Sequence, residues 1–385
     1  MSAPRSEAES TGQPGKARRG PDVALVTGFP YFTARRMIAK ILAADPKAEV
    51  TLLVREKFRE RAEAFAAALP LKPRRRLRLL IGDVCDIDLG LSGEEYRELA
   101  AEVTTIYHVA SAYYLRVPRD TALRVNVGGT RHVIELAGSC RRLERLCHFS
   151  AASVSGTRKG VIMEDELELR QRFHNAYEET KYRAEALARE AARRLPVTIL
   201  RPGIIVGDSR TGEIEKLDGP YYLIKLIVGS RLDVALPLPG QGSAPLYLVP
   251  IDYVVDAAFA LARDPRAVGR TFHLVDPCPL AARRVYELVA ERASRKPPKG
   301  SIPEGLARAA LSLPGLSRLA RVPLDFLESF NHLAFYNCQN TLELLAPDLA
   351  CPPFEKYVDN LVRYVRDRQQ QRRQAVEEQA IDPLD

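Results

Sequence analysis

Two side chains four residues apart, Tyr177 and Lys181 in NAYEETKYRAE, form the pair in this sequence best suited to moving a proton. On a helix, a spacing of four places both on one face. An ammonium beside a phenol favours the phenolate, so a tyrosine so placed can exchange a proton with a substrate oxygen near neutral pH. The same spacing also occurs in plain surface pairs, so its meaning depends on its surroundings. Just upstream, FSAASVSG supplies two hydroxyls, Ser150 and Ser153, of the kind needed to orient a substrate oxygen.

A second group of residues points to a phosphate-bearing ligand. VTGFPYFTAR, residues 26–35, ends a β-branched run and opens a helical one, where orphan amides and the helix dipole favour an anion. Against the spacing G-x-x-G-x-x-G it reads Gly28, Tyr31, Ala34. The turn glycine and a small third residue are kept. The middle position, where glycine lets the backbone approach a pyrophosphate, is tyrosine. Its Cβ is expected to push a dinucleotide outward or weaken it, unless the ring turns to solvent. Arg55 closes the second apolar run, where such folds place an acid for a ribose 2′-hydroxyl or a base for a 2′-phosphate. Between residues 55 and 78 there are nine Lys/Arg against three Glu. This favours NADP(H) over NAD, the other reading being a solvated helix face. Asp83 in IGDV either meets an adenine edge or closes a turn.

The elements that must carry these residues follow from periodicity. VALVTG, VTLLVR, LRLLIGD, TIYHVA, RLCHFS and VTILRPGIIVG read as strands. RRMIAKILAA, REKFRERAEAFAAAL, VNVGGTRHVIELAGSC and YEETKYRAEALAREAARRL read as the helices between them. The alternation predicts an α/β, doubly wound, Rossmann-like parallel sheet with a smaller C-terminal substrate lobe. Residues 1–20 read as a disordered arm, 21–207 as the NADP-binding domain, 208–365 as the substrate lobe and 366–385 as a polar tail. IDYVVDAAFALARD and TFHLVD, at about 250–276, return to the core as a helix and a strand. Residues 305–330, apolar with Arg308, Arg318 and Arg321 interspersed and split by Pro314, read as a lid on their own lobe in preference to a membrane-surface contact.

Composition narrows the classes. The 385 residues, 46% hydrophobic, can bury a substantial core and a smaller second one. No secretory apolar stretch or membrane-spanning run is present, and the six cysteines are scattered, so a cytoplasmic protein with reduced thiols is expected. The net charge of +8 comes without basic residues interleaved with aromatics, which argues against a nucleic-acid partner. The six histidines lack the spacing of a metal site on one helix, and no metal is expected.

Taken in order, TGFPYF, GDV, IYHVASAYYLR, NVGGTRHVIELA, HFSAASVSG, NAYEETKYRAE and TILRPGIIVGDSRTGEI resemble the extended short-chain dehydrogenase/reductase superfamily, and within it the fatty acyl-CoA reductase and thioester reductase branch. NHLAFYNCQNTLELL and CPPFEKYVDNLVRYV are similar to the substrate-lobe ending of the same relatives. The resemblance implies NADP(H) in contact with Thr27, Gly28, Phe29, Tyr31, Phe32, Arg55, Asp83, Val84, Ala110, Lys181 and the segment Pro202, Gly203, Ile204, Ile205. His108 matches a position near the cofactor loop. Tyr177 would be the proton donor, and the substrate an apolar small molecule, such as an acyl thioester, aldehyde or ketone. It also exposes a second departure: relatives carry a catalytic hydroxyl three residues before the valine of S-T-x-x-V, and Ala151 stands there, leaving Ser150 or Ser153 to replace it. Other expectations of the same fold are an epimerase or hydroxysteroid dehydrogenase activity, or a nucleotide-binding regulator with impaired turnover.

Overall fold

The structure is a computed structural model that describes residues 21–113, 117–229, 237–303, 305–306 and 332–381. The expectations for the 1–20 arm and for most of the 305–330 segment lie outside the described residues.

Seven strands form one parallel sheet: β1 (Val23–Thr27), β2 (Glu49–Val54), β3 (Leu77–Ile81), β4 (Thr105–His108), β5 (Arg145–Phe149), β6 (Val197–Pro202) and β7 (Thr271–Leu274). Their order is β7-β6-β5-β4-β1-β2-β3. The winding therefore reverses between β1 and β4, and the carboxyl ends of these two strands diverge into a crevice, the place where such sheets take ligands. Both faces are covered, which is why β1, β5 and β6 are buried throughout their lengths. On one face α1 (Phe32–Ala44) packs Met37, Ile38 and Ile41 beside Val254, Ala258 and Leu261. The opposite face is covered by α3 (Gly93–Glu102), α4 (Gly129–Ser139) and α5 (Ala176–Ala191) through Leu99, Val133, Leu136 and Ala188.

Several elements differ from their sequence reading. The helix α3 was not anticipated; few of its residues are buried, but Ser92 and Glu95 close a capping box at its start. REKFRER splits into a 3₁₀ turn, Glu56–Phe58, and α2 (Arg59–Ala68). VTILRPGIIVG is two strands, not one. Gly203 breaks the run: its amide bonds to Leu274 and that of Ile204 to Tyr247, moving Ile204–Val206 from the main sheet onto the short strand Leu248–Pro250. The expected returning helix is present as α7 (Ile251–Arg263), and the returning strand is β7.

The C-terminal lobe has its own apolar cluster, formed by α6 (Tyr221–Gly229), α8 (Ala282–Arg292) and the start of α10 (Val358–Ile381) through Ile224, Tyr286, Val358 and Leu361. α10 is continuous across the 365/366 boundary chosen from composition. Buried Glu164 fastens α9 (Gln339–Leu345) to the sheet, accepting from the amides of His273 and Asn340 and from the Thr341 hydroxyl.

Candidate functional site

The crevice holds a cavity of about 300 Å³, and its floor is main chain. Gly28 sits at φ +101°, and a Cβ there would lie 2.7 Å from the Ala110 nitrogen, so only glycine closes this turn. Beneath it Thr27, wholly buried, accepts from the Ala110 amide and bonds to His108 Nδ1 at 2.9 Å, while His108 Nε2 meets Thr130 at 3.0 Å. Burial and then the Lys181 charge lower the His108 pKa to about 3, so the ring is neutral. With Nδ1 accepting from Thr27 and Nε2 donating to Thr130, every group in the chain is satisfied. Thr27 thus supports the turn with its side chain directed inward.

The cavity is lined by Gly28, Phe29, Tyr31, Arg55, Asp83, Val84 and Ala110 of the expected set, joined by Lys57, Phe58, Ser111, Ala112, Arg124 and Val125. Thr27, Phe32, Lys181 and Pro202 to Ile205 do not line it. Phe32 is turned aside, with the guanidinium groups of Arg35 and Arg36 against its ring. Arg55 is already engaged: its Nε lies 2.7 Å from Asp83 Oδ2. Lys57 and Arg124 have no carboxylate partner among the described residues. Three cations against one carboxylate leave the wall positive, and α1 directs the free amides of its first turn toward the same loop. These residues fit a dinucleotide phosphate.

Tyr31 caps α1 with φ −57° and ψ 146°, backbone that any residue adopts. The loop therefore does not need glycine at this place for conformational reasons. Its ring packs edge-on against Tyr113, centroids 4.8 Å apart.

Behind Ala112 and Val125 of the cavity wall, Asn175 caps α5 through the Glu178 amide and sets Tyr177 in its first turn; Tyr177 itself does not line the cavity. The Tyr177 ring packs on Ala112, Val117 and Ala122. Lys181, one turn on, is buried, and its ammonium donates to the carbonyl of Phe149. Burial draws its pKa down to about 8. The expected lowering of the phenol pKa is not what this environment produces: burial, with the Glu178 charge added, holds Tyr177 above the usual phenol range. The phenol accordingly keeps its proton at neutral pH.

The two serines separate. Ser150 donates at 2.6 Å to Glu185, which stands one further turn along α5 and is fully buried between Arg189 and Arg201. Burial pushes the Glu185 carboxyl up, and the two guanidiniums and the Ser150 hydroxyl more than offset it, leaving a carboxylate. Ser150 is thus a structural hydroxyl. Ser153 lies on the 3₁₀ turn Ala152–Ser155, which packs against α5; its carbonyl accepts from the Gly156 amide, while its hydroxyl has no hydrogen-bond partner among the described residues. Ala151 is a buried methyl.

Asn126 ties the cavity wall to α5 and was not singled out in the sequence. It lies in a π-helical turn, Leu123–Gly128, which rotates its amide inward. Its oxygen accepts from Ser111 and from the Ala112 amide, and its nitrogen donates at 2.9 Å to Thr180, between Tyr177 and Lys181. The signal was available in VNVGGT, as was that of Glu185, which extends the Tyr177–Lys181 spacing by four.

A family model described as male sterility protein, an NAD-binding domain, matches residues 26–258, more than half of the chain. The chain belongs to that family. This member of the male sterility family is homologous to fatty acyl-CoA reductases and to terminal thioester reductase domains of peptide synthetases, within the extended short-chain dehydrogenase/reductase superfamily. It is 29% identical to fatty acyl-CoA reductase wat of Drosophila melanogaster over 62% of its length and 53% of the fly protein. It is 28% identical to the non-canonical nonribosomal peptide synthetase hkm10 of Aspergillus hancockii over 73% of its length and 29% of the synthetase. The chain thus spans about half of the fly protein and a smaller part of the fungal one. Among solved structures it resembles the terminal R domain of the myxalamid pathway, with TM-score 0.77, 28% identity and 92% of each chain covered. UDP-glucuronic acid 4-epimerase from Bacillus cereus in complex with NAD shares the fold at TM-score 0.65 and 14% identity. Homology and fold together support an oxidoreductase with a nicotinamide cofactor. Among the described residues no helix is long and apolar enough to cross a membrane.

Proposed function

We propose that the chain is an NADP(H)-dependent reductase of an apolar acyl thioester or aldehyde, with Tyr177 as proton donor and Lys181 as its electrostatic partner. One observation carries the reading. The cavity runs from the cations Arg55 and Lys57, past the Gly28 turn, to Ala112 and Val125, and these two residues also back the cluster that seats Tyr177. A dinucleotide laid along this wall would have its 2′-phosphate at the positive end and its reactive ring toward the phenol. When bound, NADPH supplies the hydride for the carbonyl carbon.

The chain's own residues supply the rest. The Tyr177 hydroxyl gives its proton to the carbonyl oxygen, and the buried Lys181 charge stabilises the phenolate left behind. Ser153 is the hydroxyl free to orient the carbonyl, since Ser150 is held by Glu185. With a thioester the carbon–sulfur bond then breaks and the thiol leaves, giving an aldehyde. The relatives' printed activities favour acyl thioesters over sugar nucleotides, the epimerase likeness being one of fold alone.

The test is NADPH consumption by the full chain with a panel of long-chain acyl thioesters and aldehydes. Tyr177→Phe is expected to lower kcat by at least ~10²-fold, the scale of a lost general acid, with the fold intact. Substrate-dependent oxidation unaffected by that substitution would refute the assignment. NADPH binding without turnover on any substrate would favour the alternative motivated by Tyr31 and Ala151 together, a nucleotide-binding regulator.

A further inference from the structure

Tyr31 stands where the loop spacing has glycine, yet its backbone is unstrained and its ring is placed by neighbours. Tyr113, the ring it meets edge-on, follows the cavity-lining residues Ala110 to Ala112 in the chain, belongs to no strand or helix and is 36% exposed. The Lys216 ammonium lies over the Tyr113 ring, 5.6 Å from its centroid. Lys216 belongs to residues 208–218, at the start of the substrate lobe, and this segment is fastened to the cofactor side by several charges. Arg36 pairs with Asp208 and, at 3.9 Å, with Glu213; Arg35 and Arg61 reach Glu215 at 3.7 and 3.6 Å. The Tyr113 phenol is held above its usual range by burial, with Asp218, Glu215, Tyr31 and Tyr177 adding to it. Tyr31 itself lines the cavity.

On the NADP(H) reading given above, we propose that Tyr31 is a cofactor-positioning residue: with Tyr113 and Lys216 it forms an aromatic strap between the Gly28 loop and the 208–218 segment that retains the dinucleotide from the mouth of the cavity. The glycine's close main-chain approach is replaced by a side-chain wall. A ring held in place by an edge-on partner and a cation is preorganised to contact the dinucleotide, and one such aromatic contact corresponds to roughly tenfold in binding. The strap also couples the cofactor loop to the lobe expected to hold substrate, so its loss should act on cofactor affinity more than on the chemical step.

The experiment compares NADPH binding and kinetics of the full chain with those of Tyr31→Gly, Tyr31→Phe, Tyr113→Leu, Lys216→Met and the Tyr31→Gly/Tyr113→Leu pair. The chain has no tryptophan, so energy transfer from tyrosine to bound NADPH reports binding directly. Restoring the loop glycine is expected to weaken NADPH about tenfold, raising the KM for NADPH while kcat changes less than threefold. Tyr31→Phe, which keeps the ring pair, should bind as the parent does. Tyr113→Leu should match Tyr31→Gly, and the double variant should be no weaker than either, because a contact is lost only once. Tighter or unchanged NADPH binding by Tyr31→Gly would overturn the strap while leaving the cofactor reading intact. If that variant does not fold, Tyr113→Leu and Lys216→Met decide: weakened NADPH supports the strap, unchanged affinity in both overturns it. A parent protein that binds neither NADPH nor NADH overturns the strap and the cofactor reading together.

Discussion

The cavity around Gly28 and the neighbouring region around Tyr177 are built differently. Around Gly28 the wall is main chain, a turn so close to Ala110 that a Cβ on Gly28 would lie 2.7 Å from its nitrogen, and side chains decorate it from outside. Around Tyr177 the geometry rests on buried polar side chains: Asn126 against Thr180 and Ala112, and Glu185 against Ser150, Arg189 and Arg201. A main-chain wall tolerates changes of side chain and fails at single positions. A buried network fails as a whole when one member goes, because its other members are left charged or unpaired.

The sharpest break of this contrast is Glu185→Ala. It strands the Arg201 guanidinium, 1% exposed, and loosens Ser150 and α5 together. Removing one partner of a buried pair costs about 3–5 kcal/mol, to be read as a lowered denaturation midpoint. A loss below about 1 kcal/mol would remove the network from its structural role. Gly28→Ala should do the reverse. Backbone strain at that φ costs about 1–3 kcal/mol, a smaller fall in melting temperature, while NADPH affinity falls at least tenfold. Retained affinity would show that the turn is not the cofactor's seat.

The mildest test is pH. Lys181, lowered to about 8 by burial, is protonated below that value and loses its charge as pH rises through it, whereas Tyr177 stays protonated throughout. Reduction rates should therefore be flat through neutrality and fall above about pH 8, where the charge that stabilises the departing proton's phenolate is lost. Arginine stays charged across this range, so Lys181→Arg should flatten the alkaline limb wherever it retains activity. A rate that climbs through pH 8 would instead assign the limb to a base.

Much of this was readable in the chain. β-branched runs at regular spacing pointed to the parallel sheet; the places of Gly28, Arg55 and Asp83 after strands pointed to residues that line the cavity, and the spacing of Tyr177 and Lys181 to one helix. What escaped depends on contacts distant in sequence. Ser150 looked like a catalytic hydroxyl because nothing nearby in the chain shows it bonded to Glu185, 35 residues on. Asn126 acquires meaning only through a π turn that periodicity does not reveal. Arg55 reads as a free cation until Asp83, from the neighbouring strand, is seen to hold it; Lys57 and Arg124 then carry the charge that no carboxylate pairs among the described residues. The helix α3 escaped because few of its positions are apolar.

The measurement that bears most directly on the account is a titration of the full chain with NADPH and with NADH, repeated with Lys57→Ala and Arg55→Ala. The account predicts that NADPH binds at least tenfold more tightly than NADH, and that the gap narrows in both variants, more in Lys57→Ala because Arg55 is shared with Asp83. Equal affinity for the two nucleotides, or binding of neither by folded protein, would contradict it.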